Sequence, residues 1–302
     1  MKKTFCVLLI FNKIIVSNEK SSETIEKKDY TMLDESMDNK KLNKNQYNII
    51  YWIVGVTVSL ILLIIFCYWC YKNKWSENYH QSLLNQPSKN PLYNEDNRFW
   101  HFIMGKEKPN KLYKNNLYSI AFESINGNPL IIPKGKYMNI KDFAQDSFDK
   151  EKIDFHKTTL EIINQEKNFS STGFCIGAHT GISHRQSIFH FHYHIYSENQ
   201  LSSEEENNIK YQDKIVENNT FIAYKESEVK DNKRFVIKPK NSKIFPNIHE
   251  FLTKASHSQQ LDYFDIIQKL TNQENLENFY LYVNTSASNG IYKNEFNIII
   301  VS

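Results

Sequence analysis

Hydrophobic and polar positions divide the chain into a long apolar run, two polar stretches and a region of short alternating elements. From Ile49 to Tyr71, "IIYWIVGVTVSLILLIIFCYWCY", there are 23 residues without a charge. At about 1.5 Å per residue such a helix is roughly 35 Å long, enough to cross a bilayer with some tilt. Tyr51 and Trp52 at one end, and Tyr68, Trp69 and Tyr71 at the other, suit the two interfaces. Residues 49–71 are therefore expected to form a transmembrane helix, with a fully buried soluble helix as the alternative. At the start, "MKKTFCVLLIF" combines a basic lead with a short apolar core, but Asn12 and Lys13 interrupt it before "IIV". Residues 1–20 read as a signal peptide or a short anchor. The charge-rich stretch 21–48 reads as a polar segment without stable structure. Residues 72–98, with "NQPSKNPLYNEDN", read as a turn-prone linker. Folded structure is expected from Phe99 onward.

Beyond that point the period of the pattern switches repeatedly. "RFWHFIMGKEKP" predicts a short helix ended by Gly105 and Pro109. "KLYKNNLYSIAFES" and "NPLIIPKGKY" predict two strands around the turn "INGN". "SFDKEKIDFHKTTLEIINQEKN" carries Ile153, Phe155, Leu160 and Ile163 near helical spacing and predicts the main amphipathic helix. "STGFCIGAHTG" and "SIFHFHYHIYS" predict two further strands. Helix, two strands, helix, two strands is an α+β unit with antiparallel strands.

The same order then recurs. "TFIAYKESEVKDNKRFVIKPKN" has the form of "YSIAFESINGNPLIIPKGK", with Ile222, Ala223 and Tyr224 aligned to Ile120, Ala121 and Phe122. "SQQLDYFDIIQKLTNQENLENF" matches the long helix, and "FYLYVNTSASNGIYKNEFNIIIVS" matches the two closing strands. Two related units are expected, 99–200 and 211–302.

Composition changes this picture little. The net charge is +3 over 302 residues, with acidic and basic residues interspersed, so neither nucleic acid nor an anionic surface is implied as a partner. Cys6, Cys67 and Cys70 lie in apolar segments, which leaves Cys175 as the only thiol in the soluble part. That suits a reducing compartment. If residues 1–20 are a cleaved signal, everything after Lys72 is cytoplasmic, and the protein is a single-pass membrane protein.

Candidate chemistry lies in "HRQSIFHFHYHIYS", where His190, His192 and His194 alternate with Phe191, Tyr193 and Ile195. On a strand, alternate side chains share a face and stand about 6.6–7 Å apart. Phe189, Phe191, Tyr193 and Ile195 would pack on the helix, leaving the imidazoles together on the other face. Imidazole can attack phosphorus, move protons near neutral pH, or bind zinc. A zinc site through the H-x-H spacing lacks an obvious third ligand nearby. In the second unit the aligned positions are Glu295, Asn297 and Ile299, so only the first unit keeps the histidines.

"QSIFHFHYHIY" resembles the signature of the histidine triad (HIT) family, and "FIMGKEKPNKLYKNNLYSIAFESI" and "PLIIPK" resemble that family's first helix, hairpin and following strand. The resemblance covers residues 99–197, with 211–302 as a decayed copy. It implies a HIT-like antiparallel sheet with a main helix, duplicated here as an intramolecular pseudo-dimer in which the second unit replaces the other protomer. It implies a nucleotide hydrolase or transferase acting on phosphoramidates, dinucleoside polyphosphates or acyl adenylates, with no metal and no cofactor. His192 would attack the α-phosphate and form a covalent nucleotidyl intermediate. His194 would contact phosphate oxygens, and His190 would orient His192. Gln186, Ser187 and His179 fall where the family holds phosphate, and Trp100, Phe122 and Ile125 where it lines the base pocket, although such apolar residues also serve as plain core. The sequence departs from the family at several points. His179 stands for Asn, Arg185 for Gly, Ser124 for the ribose-binding Asp, and Asn128 for His. Altered nucleoside recognition is expected, and a membrane-anchored nucleotide-binding pseudoenzyme or a zinc-binding protein without turnover remain the alternatives.

Overall fold

A computed structural model describes residues 44–197, 211–226, 233–288, 291–293 and 296–302. The stretch read as a signal or anchor, and most of the polar segment after it, lie outside the described residues. The chain divides into two units, Met1–Ile65 and Phe66–Ser302, and the division falls inside the first described helix.

That helix, α1, spans Lys44–Asn85. Within it Asn48–Lys74 is long and apolar enough to cross a membrane by length and composition. It continues well past the apolar run because neither Gly nor Pro occurs between Tyr71 and Pro87, and Pro87 disfavours helix in the residue before it. The segment expected as a linker is thus helical to Asn85. Its end also packs on the folded unit, where Leu83 and Leu84 are buried.

The second unit is α+β, built on one large antiparallel sheet. Its first half contains α2 (Arg98–Ile103), β1 (Leu112–Asn115), β2 (Ser119–Glu123), β3 (Pro129–Pro133), α3 (Ile140–Asp146), α4 (Asp149–Gln165), α5 (Lys167–Thr172), β4 (Gly173–Thr180) and β5 (Tyr193–Ser197). Its second half contains β6 (Tyr211–Glu217), β7 (Phe221–Glu226), β8 (Arg234–Pro239), α6 (Ile248–Lys254), α7 (His257–Gln273), β9 (Phe279–Ser288), β10 (Ile291–Lys293) and β11 (Ile298–Val301). The strands run β1-β2-β3-β5-β4-β9-β11-β8-β7-β6, with β10 on β9.

Register carries the likeness of the halves further. Leu130 of β3 faces His194 of β5, and Val236 of β8 faces Ile299 of β11. β4 and β9 meet antiparallel from Gly173↔Ser286 to Thr180↔Phe279, so the sheet passes from one half to the other without an edge.

Strand alternation sorts side chains to two faces. Ala121, Ile131, Tyr193, Ile195, Phe235, Ile237 and Leu281 join a core with Phe143, Phe155, Ile162, Phe264 and Ile267 from α3, α4 and α7. Ile120, Phe122, Leu130 and Ile132 turn the other way and pack with Phe99, Trp100 and Ile103 of α2 and with Leu84. Asn97 caps α2 by accepting from the Trp100 backbone N–H.

Because helices of both halves share one core, damage on either side should be felt by the whole. Phe264 of α7 is fully buried and meets Phe143 of α3 edge-to-face at 5.2 Å. Phe264→Ala is expected to cost about 3–5 kcal/mol in a single cooperative denaturant transition of the second unit. Two separate transitions, with only one of them shifted, would contradict a shared core.

Candidate active site

The predicted histidine strand is shorter than expected. Regular pairing begins only at Tyr193, and residues 188–190 form a bend, closed by the His190 N–H donating to the Ile188 carbonyl at 2.9 Å. The reason lies in β3. Pro133 ends that strand, and on the β5 side only Leu130 and Ile131 are paired. The Phe191 N–H donates instead to the Tyr137 carbonyl at 2.7 Å. Alternation nevertheless survives through the bend. Phe191 and Tyr193 enter the helix-side core, with Phe191 5.0 Å from both Phe143 and Phe155. The histidines take the opposite face, where Phe99 lies edge-on to His192 at 5.1 Å.

His190 is fully buried, and both its ring nitrogens are engaged. Nε2 lies 2.8 Å from the Pro133 carbonyl, which can only accept, so Nε2 carries the proton. Nδ1 then accepts from the Tyr93 hydroxyl at 2.5 Å. His192 is 6% exposed, and its Nδ1 donates to the backbone carbonyl of His190 at 2.7 Å. In the neutral ring this leaves the lone pair on Nε2. His190 therefore orients His192 through its main chain rather than its ring.

His194 and His179 complete a cluster on this face. The His192 and His194 rings are 4.8 Å apart, and His179 lies 5.8 Å from His194. His194 also stacks on Tyr196 at 5.3 Å. His179 Nδ1 donates to the His184 carbonyl at 2.7 Å. Its ring stacks on Tyr280 of β9 at 4.4 Å, so the half that lacks the triad reaches this cluster. Sequence reasoning missed Tyr280, because its place depends on the β4–β9 register. The available signal was Gly177 inside a strand: a Cβ there would collide with the Tyr280 hydroxyl.

The other predicted residues are less uniform. Gln186 is buried, but its amide is used within the loop. Nε2 donates to the Met138 carbonyl at 2.5 Å and the Ile188 carbonyl at 3.2 Å, and Oε1 accepts from the Gly181 N–H at 2.9 Å. It clamps the approach to the triad. Ser187, one residue on, is exposed. Arg185 adopts φ 62°, the left-handed region in which glycine is at home, so the backbone keeps the shape that the expected Gly would favour. Trp100 and Phe122 are buried in the apolar cluster under α2, whereas Ile125 is 82% exposed. The structure thus does not bring Ile125 together with the other two. Ser124 accepts from the Asn126 and Asn128 N–H groups and shapes the turn.

Among the described residues no group of three or more His, Cys, Asp or Glu is arranged to hold a metal ion. The bonding of His190 gives one reason, since neither of its nitrogens has a lone pair to spare.

No family model matches the chain. An uncharacterized HIT-like protein of Rickettsia prowazekii is 29% identical over 108 residues, covering 34% of this chain and 88% of that protein. Among solved structures, a HIT family hydrolase from Clostridium thermocellum is 24% identical, with a TM-score of 0.31, covering 39% of this chain and 99% of that one. An ADP-glucose phosphorylase from Arabidopsis thaliana, with bound ADP-glucose, is 11% identical, with a TM-score of 0.47, covering 72% of this chain and 82% of that one. The triad sequence and the Rickettsia relative support a HIT-like family for this chain.

Burial sets the protonation of the cluster. It lowers His192 to about 4 and His190 and His194 to about 3, from 6.5. For His192 the His190 carbonyl works against this, and for His194 the neighbouring imidazoles add to it. The unfolded chain takes up a proton at each ring as pH drops through about 6.5, while the folded chain does not, so stability is intact above that value and is lost below it. Between pH about 7.5 and about 5.5 each ring is expected to cost about 1 kcal/mol. Melting temperature should therefore fall over that interval, and an unchanged or rising value would contradict neutral, buried imidazoles.

Proposed function

We propose that this protein is a HIT-type nucleotide hydrolase or nucleotidyl transferase that cleaves at the α-phosphate of a phosphoramidate or dinucleoside polyphosphate. The observation that carries this reading is the hydrogen bond from His192 Nδ1 to the His190 carbonyl, which leaves Nε2 as the lone-pair nitrogen. Nε2 attacks the α-phosphorus. The bond from phosphorus to the bridging nitrogen or oxygen breaks, and the leaving group departs with that electron pair, an amine taking up a proton from solvent as it leaves. Water then attacks phosphorus, the P–N bond to His192 breaks, and its electrons return to Nε2 while a proton goes to solvent. In a transfer reaction another phosphate or hydroxyl takes the place of water.

His194 stands beside the nucleophile and is assigned to the phosphate oxygens, where developing charge needs donors. His179, next to His194, gives its one N–H in the neutral ring to the His184 carbonyl and would donate to phosphate only when protonated. Ser187, exposed next to the Gln186 clamp, is assigned to the same group, with Gln186 acting through the loop it holds. Nucleoside recognition is altered. Ser124 is committed to its turn, and Trp100 and Phe122 are core of the α2 cluster. The names of the compared proteins, a HIT family hydrolase and an ADP-glucose phosphorylase, are consistent with nucleotide chemistry of this general kind. The half from residue 211 onward, matched to the first in register and continuous with it through β4 and β9, stands in for a second protomer. Helix α1, whose Asn48–Lys74 stretch is long and apolar enough to cross a membrane, is assigned as a membrane anchor.

The test is turnover by the full chain in detergent, offered an amine-linked nucleotide phosphoramidate and a dinucleoside polyphosphate. His192→Ala is expected to lower kcat at least 100-fold with its fold intact. Equal turnover by both proteins would refute the nucleophile. Tight nucleotide binding without turnover by the parent chain would favour the pseudoenzyme.

A further inference from the structure

Residues 83–97 form a strap that leaves α1, crosses the folded unit and enters α2. Several contacts fix it. Leu83 and Leu84 are buried, Ser88 donates to the Lys136 carbonyl at 3.1 Å, and Asn90 donates to the Asp142 carboxylate at 2.9 Å. Lys89 pairs with Asp146 at 3.1 Å and Glu95 with Lys136 at 2.6 Å, while the Lys136 ammonium sits over the Trp100 ring. The strap is thus bound to the chain on the far side of Pro133 and to α3. At its centre Tyr93 turns inward, edge-on to Trp100 at 6.3 Å, and delivers its hydroxyl to His190 Nδ1 at 2.5 Å.

We propose that Tyr93 is a positioning residue of the histidine site, so that docking of the strap sets the orientation of His192. The argument turns on how residue 190 is held. The bend at 188–190 lies outside the strand ladder, so no pairing with β3 anchors it. The backbone is held by the Gln186 amide on the Ile188 carbonyl and by the Phe191 N–H on Tyr137, and the His190 ring by its two contacts to Pro133 and Tyr93. The Tyr93 hydroxyl gives the buried Nδ1 a donor, which keeps the proton on Nε2 and preserves the bond to Pro133. Take that donor away, and Nε2–H still holds the Pro133 carbonyl, but Nδ1 becomes a buried acceptor without a donor, so the ring loses one of its two contacts and the carbonyl behind it is held less firmly. That carbonyl is what holds His192 Nδ1. A segment joined directly to the apolar helix therefore reaches the candidate nucleophile through one side chain.

The catalytic consequence rests on the proposed function, but the positioning does not, and the experiment separates them. Full-length protein labelled with 15N-histidine gives ring-nitrogen shifts that report which nitrogen carries the proton. In the parent chain His190 is expected as the Nε2–H form and His192 as the Nδ1–H form. Tyr93→Phe keeps the ring against Trp100 and removes only the hydroxyl. It is expected to leave His190 in the Nε2–H form with its Nδ1 signal shifted by the loss of its donor, to move His192 toward mixed tautomers, and, where turnover is measurable, to lower kcat about 10-fold with KM within two-fold. Asn90→Ala, which loosens the strap at Asp142 and leaves the hydroxyl in place, should shift the same signals in the same direction by less. It also carries the test if Tyr93→Phe fails to fold. Shifted tautomers in an inert protein would support the positioning role and count against the enzyme. An active protein whose His192 signals ignore both substitutions would overturn the role of Tyr93.

Discussion

One hydrogen bond, from His192 Nδ1 to the main-chain carbonyl two residues earlier, is the constraint on which the site depends. It decides which imidazole nitrogen has a lone pair facing its neighbours. Without it His192 would be one more buried histidine, free to present either nitrogen. Burial reinforces the effect by keeping the ring neutral well below physiological pH. The reading as a phosphorus-attacking nucleophile follows from that pairing of fixed tautomer and neutral charge, together with two further imidazoles within one ring-to-ring contact of each other.

The scaffold can be understood as what holds that carbonyl still. On one side Phe191 and Tyr193 are sunk into the core that both halves share, which fixes the chain on either side of His192. On the other side the His190 ring is held by Pro133 and by Tyr93. Gln186 ties the loop before the bend to Met138 and Gly181. The second half adds Tyr280 against His179, which places one aromatic ring of the half that lacks the triad among the imidazoles of the other. The two halves therefore divide the work unequally, although their strands keep matching register.

Local patterns were read well from the sequence. Alternation around Ile120, Ala121 and Phe122, the helical spacing of Phe155 and Ile163, and the recurrence of both in the second half all appear where expected. The three imidazoles of the triad do share a face, and His179 joins them there. What escaped was set by distant parts of the chain. The triad bends before it becomes a strand because Pro133 ends its neighbour and Tyr137 offers a carbonyl, and neither lies near it in sequence. Tyr93 sits in a stretch rich in Asn and Pro, whose composition describes a linker and gives no hint of a docking surface. Gln186 matches the family position for phosphate, yet its amide is taken up by carbonyls that only the folded loop brings near. Ile125 illustrates the opposite error, since an apolar residue at a turn tip has nothing to pack against.

The most direct test of the central claim is chemical trapping of the intermediate. Full-length protein mixed with a nucleotide phosphoramidate and rapidly denatured at alkaline pH, where phosphohistidine bonds persist, is digested and its peptides are weighed. The account predicts a nucleotidyl mass added to the peptide that contains His192, at Nε2, and no such mass in the His192→Ala protein. Steady turnover of that substrate with no adduct at any mixing time, or with the adduct on a different residue, would contradict it.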